Sequence, residues 1–235
     1  MRQEGFALPE HRSAASTAGP EREYEDTLYR YAELLASCTT VRLTGSRDAD
    51  ELYELHVRDC LHSVPYLPEA GRIVDVGSGG GLPGMVWAVV RPDLQVTLLD
   101  SARKKCRALE DIAASLGLKN VLVCWERCED HALSMRERYA LASARALAHT
   151  GVLAEYLSPL VEPGGRLLAF KGPKVCEELE EVGGKWRRLG LSAPEVIPYG
   201  PEDRRYSFVL WEKKEPCPGA YPRKPGLALM KGWWF

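Results

Sequence analysis

The chain reads as an α/β protein built on a largely parallel sheet with helices on both faces. Three observations predict it. Short apolar runs alternate with helical segments from Arg72 onward, the first run "RIVDV" leads straight into "GSGGGLPG", and acids close the first two runs at Asp75 and Asp100. Continuous apolar runs, as opposed to alternating ones, are what strands buried on both faces require. Glycines between a strand and a helix let a ligand approach bare main chain.

Each element follows from its local pattern. Strands are predicted at "RIVDV", "QVTLLD", "NVLVCW", "YALASA" and "RLLAFKG", with helices over about 82–90, 102–116, 151–160 and 174–189 between and after them. "APEVIPY" and "YSFVLWEKK" follow with no long helix between them, so they are expected to close the sheet as a hairpin. That makes seven strands, the last antiparallel. Upstream, Leu28, Tyr31, Leu34 and Leu35 recur at helical spacing after Pro20. A second helix is expected in "DADELYELHVRDCLHSVPYL", capped by Asp48 or Asp50 and stopping before Pro65.

Four segments result. Residues 1–19, rich in Ala, Ser, Gly and Pro without periodicity, are expected to be a disordered leader. Residues 20–69 form an N-terminal helical extension, 70–214 the α/β domain, and 215–235 an extended basic and aromatic tail on the surface or on a bound partner.

Composition removes several classes. A net charge of −2 leaves any nucleic-acid surface to local clusters. Seven cysteines, odd in number and without a CxxC pair, argue for reduced thiols in a cytoplasmic protein, with no disulfide frame and no metal site. No run is long enough to span a membrane, and the amino terminus lacks the apolar core of a signal peptide.

The glycine loop admits two cofactors. Gly79, Gly81 and Gly84 fit G-x-G-x-x-G with Asp100 in reach of a ribose, which allows an NAD-dependent oxidoreductase. In the other register Asp75 stands two residues before Gly77. A carboxylate there favours S-adenosylmethionine, which carries an ammonium and a sulfonium, over a pyrophosphate that would meet it charge to charge. A plain strand-helix turn is the alternative for the glycines, and a simple helix cap that for Asp100.

The stretches "RLTGSRDADELYELHVRDCL", "VDVGSGGGLPGMVWAVVRPDLQVTLLD", "SARALA", "AFKGP" and "YPRKPG" resemble the bacterial small-subunit ribosomal RNA guanine 7-methyltransferases, over roughly Tyr24 to Gly226. The resemblance implies a class I, Rossmann-like seven-stranded methyltransferase sheet. It implies S-adenosylmethionine as cofactor and ring nitrogen 7 of a 16S ribosomal RNA guanine as acceptor, in a monomer that works on RNA or on the small subunit. By matching positions it assigns the cofactor to Gly77, Gly79, Leu82, Asp100, Ser101, Ala102, Cys128 and Glu129, with Asp75 beside them. Arg145 is assigned to face both cofactor and base, Lys171 to the same catalytic edge, and His56 with Asp59 to the RNA side. Arg204 or Arg205 stands where the family has an arginine-histidine pair, and Arg223 and Lys224 lie in the tail motif. With Tyr206, Tyr221, Trp233 and Trp234 nearby, these cations combine phosphate-binding and stacking groups.

The chain departs from the family pattern at Arg42, at Cys60 and in the apolar ending "LALMKGWWF". Rival readings are a methyltransferase of another substrate, the oxidoreductase above and a non-catalytic RNA-binding module.

Overall fold

A computed structural model of the chain describes residues 20–200 and 205–235. The leader 1–19 and Arg204 lie outside the described residues.

Seven strands form one sheet: β1 (Arg72–Val76), β2 (Gln95–Asp100), β3 (Val121–Trp125), β4 (Tyr139–Arg145), β5 (Val161–Lys171), β6 (Glu195–Tyr199) and β7 (Tyr206–Glu212). Their order is β3-β2-β1-β4-β5-β7-β6. The first five pair in parallel, and β7 inserts antiparallel between β5 and β6, as the closing hairpin predicts. Successive strands run outward from β1 in one direction and then, from β4, in the other. That reversal opens a crevice at the carboxyl ends of β1 and β4, where open sheets of this kind bind ligands.

Helices cover both faces. On one side, α1 (Pro20–Ser37) and α4 (Gly84–Val90) seat Leu28, Tyr31, Leu35 and Trp87 against Ile73, Leu98 and Phe208. The extension therefore shares the core of the sheet. Trp87 Nε1 donates to Ser63 Oγ at 2.8 Å and Tyr31 Oη donates to the Gly80 carbonyl at 2.6 Å, so the extension is also fastened to the glycine loop. On the opposite face α7 (Thr150–Leu157) is buried along its whole length. Between β2 and β3 lies α5 (Arg103–Ser115).

Four expectations need correction. The second helix is not continuous: α2 (Ala49–Leu52), capped by Asp48, passes into a π-helical turn at Tyr53–Val57 and then α3 (Arg58–Leu61). Such a turn inserts an extra residue into the helical ladder and often marks a functional site. The helix expected over 174–189 stops as α8 (Val175–Val182), because Gly183 and Gly184 take left-handed conformations (φ 62° and 76°) and only a 3-10 turn follows. A short helix, α6 (Cys128–Ser134), goes unpredicted because seven residues are too few to show a period.

The tail is the largest correction. Its end folds back on the domain: Trp233 and Trp234 are only 4% and 5% exposed, and a short helix α9 (Leu227–Met230) precedes them. Trp233 Nε1 donates to the Gly151 carbonyl at 2.7 Å, and Trp234 stacks on His149 at 5.1 Å. Arg136 donates to the carbonyls of Cys217, Pro218 and Tyr221. Burying each indole contributes on the order of 2–3 kcal/mol, which explains why an apolar ending folds back once a groove exists to receive it.

Candidate active site

A cavity of about 680 Å³ opens at the switch point between β1 and β4. It is lined by Gly77, Gly79, Leu82, Asp100, Ser101, Ala102, Cys128, Glu129, Arg145 and His56, so ten of the residues singled out in the sequence converge there.

The loop is held by its own backbone. Gly77 and Ser78 donate their amides to the Leu99 carbonyl at 2.8 and 3.1 Å, and the loop turns through positive φ at Gly77 (69°), Gly79 (57°) and Gly81 (90°). Side chains are strained in that region, and a Cβ on Gly77 would meet Leu147 at 2.8 Å. Asp100 ties two segments together: one carboxylate oxygen accepts from Gly79 N at 2.9 Å and the other from Ala102 N at 2.8 Å. It lines the cavity and holds the amide of Ala102, the residue before α5, but makes no bond to an amide of the helix itself.

Asp75 does not reach the cavity. Its side chain is fully buried beneath the loop, where Oδ2 accepts from Gly84 N at 3.0 Å and Oδ1 meets no protein donor. Burial raises its pKa to about 7, against the lowering influence of the Gly84 amide and of Arg145. The charge argument drawn from its place in the sequence therefore fails. A strand residue that ends at the loop can point under it as well as over it, and Asp75 points under.

Glu129 is buried on the far wall. It accepts from Gly226 N at 3.1 Å, from Cys128 Sγ at 3.2 Å and from Arg127 at 3.4 Å. Burial pushes its pKa up, but these bonds and its own amide outweigh that and hold it below the ordinary glutamate value. It stays a carboxylate at neutral pH. Burial also raises the Cys128 thiol far above the usual cysteine value, so that side chain is a neutral donor.

Arg145 ends β4 at the cavity, 19% exposed. It pairs with Asp59 at 3.1 Å, donates to the His56 carbonyl at 3.2 Å and to Cys60 Sγ at 3.0 Å, and lies over the Phe170 ring. All three N-terminal partners come from the π turn and the helix that follows it. The extra residue of that turn is what aims one carbonyl, one thiol and one carboxylate at a single guanidinium.

Lys171 ends β5 on the same edge of the sheet but does not line the cavity. Its ammonium pairs with Glu178 at 2.7 Å and donates to the Ala148 carbonyl at 2.9 Å, while Glu178 also accepts from the Thr150 amide and hydroxyl. The lysine therefore braces the segment between Arg145 and α7. Among the tail cations, Arg223 is bound to the buried carboxylate of Glu155 through its amide and its guanidinium, with contacts down to 2.6 Å, and is already committed to the protein. Trp233 and Trp234 are likewise unavailable for stacking on RNA. Arg205, at φ 49°, and Lys224 are exposed.

Sequence reasoning gave no cofactor role to Leu43 and Thr44, which line the cavity from the extension, or to Lys105, Tyr156 and Leu229. Leu43 and Thr44 lie in the stretch "RLTGSRDADELYELHVRDCL" and Lys105 in a run of cations after Asp100, but nothing in the local sequence marks Tyr156 or Leu229. Two buried hydroxyls on the cavity wall, Ser78 Oγ and Tyr156 Oη, have no protein partner, as expected of groups that a polar ligand would satisfy. Together with paired carboxylates after β2 and β3 and a bare glycine turn, they suit an adenosyl group: acids for the ribose hydroxyls and the adenine amine, and apolar walls for the ring.

A seven-stranded sheet in which only β7 is reversed, with the glycine loop at its switch point and acids at the ends of or after the second and third strands, defines a class I S-adenosylmethionine-dependent methyltransferase. The chain belongs to the GidB family, described as rRNA small subunit methyltransferase G, whose model matches residues 24–203. Relatives carry the name ribosomal RNA small subunit methyltransferase G. That of Symbiobacterium thermophilum is 40% identical over 200 residues (80% of each chain), and that of Thermotoga neapolitana is 37% identical over 213 (90% of this chain, 92% of the relative). Among solved structures, the antibiotic-resistance methyltransferase Kmr is 20% identical, with TM-score 0.51 over 61% of this chain and 87% of its own. A mutant 16S rRNA (adenine(1408)-N(1))-methyltransferase from Catenulisporales acidiphilia, solved with its cosubstrate, is 16% identical, with TM-score 0.50 over 70% of this chain and 94% of its own. These two likenesses concern the fold.

Proposed function

We propose that the protein transfers the methyl group of S-adenosylmethionine to ring nitrogen 7 of one guanine in 16S ribosomal RNA, acting as a cytoplasmic monomer on the small subunit. The observation that carries this reading is Arg145: a charged side chain at the cavity mouth, aimed by Asp59, Cys60 and His56. No helix among the described residues is long and apolar enough to cross a membrane.

The cofactor supplies an electrophilic methyl on a sulfonium, and the residues that would hold it are Asp100, Glu129, Leu82 and the loop around Gly77 and Gly79. Nitrogen 7 of guanine carries its lone pair in the ring plane at neutral pH, so the protein has no proton to remove. Its task is placement. Arg145 is suited to hold the guanine through oxygen 6 or a flanking phosphate, since a cation against nitrogen 7 itself would oppose the charge that develops there. Arg205 and Lys224 are exposed and can make phosphate contacts, as can Arg103, Lys104 and Arg107 at the start of α5, with Arg204 beyond the described residues. A near-neutral protein that relies on local clusters of cations is suited to a structured subunit more than to naked RNA.

The test is mass spectrometry of nuclease-digested 16S RNA after incubation with the protein, labelled cofactor and subunits that lack the native modification. One new 7-methylguanosine in one fragment is the expected result. Cofactor binding without transfer to RNA would move the acceptor to a metabolite or protein.

A further inference from the structure

The family model ends at residue 203, yet the chain beyond it returns to the cofactor cavity. We propose that the C-terminal segment Gly226–Phe235 is a working part of the cofactor site, with the Gly226 amide positioning Glu129 and Leu229 supplying an apolar wall for the adenosyl group. This rests on the methyltransferase reading and adds residues to its site.

Three independent contacts carry the segment to that place. Gly226 N donates to Glu129 Oε1 at 3.1 Å, directly at the carboxylate on the cavity wall. Leu229, one turn further along α9, lines the cavity yet is 62% exposed. An exposed leucine at the mouth of a pocket gains most when a flat apolar ring covers it. The ends of α9 are pinned: Arg223 by Glu155 on one side, and on the other Trp233 on Gly151 and Trp234 on His149. Gly151 has no Cβ because Trp234 occupies its place; an added Cβ would stand 2.4 Å from that indole. The groove and the tail thus fit each other, and the two tryptophans act as the anchor that keeps Leu229 over the cavity.

The segment acts on the adenosyl side, through Glu129 and α7, away from Arg145 on β4. It should therefore affect ligands with the same adenosyl group equally, whatever their charge at sulfur. The experiment is calorimetric titration of the full-length protein, Leu229→Ala, Leu229→Asp and a chain lacking residues 227–235, each with S-adenosylmethionine and with S-adenosylhomocysteine, beside the melting temperature of each ligand-free protein. Leu229→Ala is expected to weaken both ligands by the same factor, about fivefold, for the partial burial of one leucine face, and Leu229→Asp more. Neither should lower the ligand-free melting temperature, because the side chain is exposed; a purely structural tail would show the reverse. The truncated chain should lose at least tenfold in affinity for both ligands. Full-length protein that binds neither ligand would overturn the methyltransferase reading itself. Full-length protein that binds, with both Leu229 variants unchanged, would overturn the role of the tail and leave that reading standing.

Discussion

Asp75 has one carboxylate oxygen on the Gly84 amide and the other on no protein group, sealed beneath the loop. Its pKa of about 7 in the folded state, against 3.8 as an ordinary side chain, has a definite sign. Between those values the folded protein holds a proton that the unfolded chain has released, so stability falls as pH rises from about 4 to about 7, by at most about 1.4 kcal/mol per pH unit. Asp75→Asn keeps an acceptor for Gly84 and removes the titration. Chemical denaturation at pH 5 and pH 7.5 should show a marked loss for the parent and a flat response for the variant; equal slopes would show that Asp75 is ionised throughout. Arg145 invites a different measurement. Arg145→Ala should leave cofactor affinity within about twofold and cut turnover on subunits by about 10²-fold or more, the pattern of a lost orienting contact. Full turnover by that variant would remove Arg145 from the acceptor site.

At the level of elements, two junctions hold the site. The first is the turn from the glycine loop into α4, where Gly84 packs so closely that a Cβ would lie 2.3 Å from Leu98 and 3.0 Å from Asp75 Cβ. Gly84→Ala should cost about 1–3 kcal/mol, seen as a lowered melting temperature, and should weaken cofactor binding as the loop shifts. A fully stable variant would mean that the helix can slide without disturbing the sheet. The second junction joins α1 to the loop through Tyr31 and Gly80. Tyr31→Phe leaves a buried carbonyl without its donor, which should cost about 1–3 kcal/mol. Thermal melts of the two variants compare the junctions directly.

For the molecule as a whole, charge decides how it meets RNA. A net charge of −2 leaves contact with phosphates to local cations, Arg205 and Lys224 among them. For single-stranded RNA the logarithm of affinity should fall linearly with the logarithm of salt, and Arg205→Ala or Lys224→Ala should each reduce the magnitude of that slope by about 0.7. Arg223→Ala should instead lower the melting temperature, because it strands the buried Glu155, and leave the slope unchanged. A slope that Arg223→Ala reduces would reverse that assignment.

The alternation of apolar runs and helices made the seven strands and the reversal of the last one legible in advance, and the spacing of glycines and acids located the crevice, because strand ends and tight turns are specified by neighbouring residues. Nine of the ten site residues lie at strand ends or in the turns after them for the same reason; His56, on the extension, does not. The fates of Asp75, Lys171 and the tail were not legible. Whether a strand-end acid points over or under its loop depends on which backbone amide lies within 3 Å of it, and that amide belongs to Gly84, nine residues on. Lys171 turned to Glu178 and Arg223 to Glu155, partners supplied by other helices. The aromatic ending reads as an open, RNA-facing tail until α7 presents the groove at Gly151. Local pattern fixed the elements and the position of the site; only packing across the sheet decided which side chains face it, because those contacts join residues that the sequence keeps far apart.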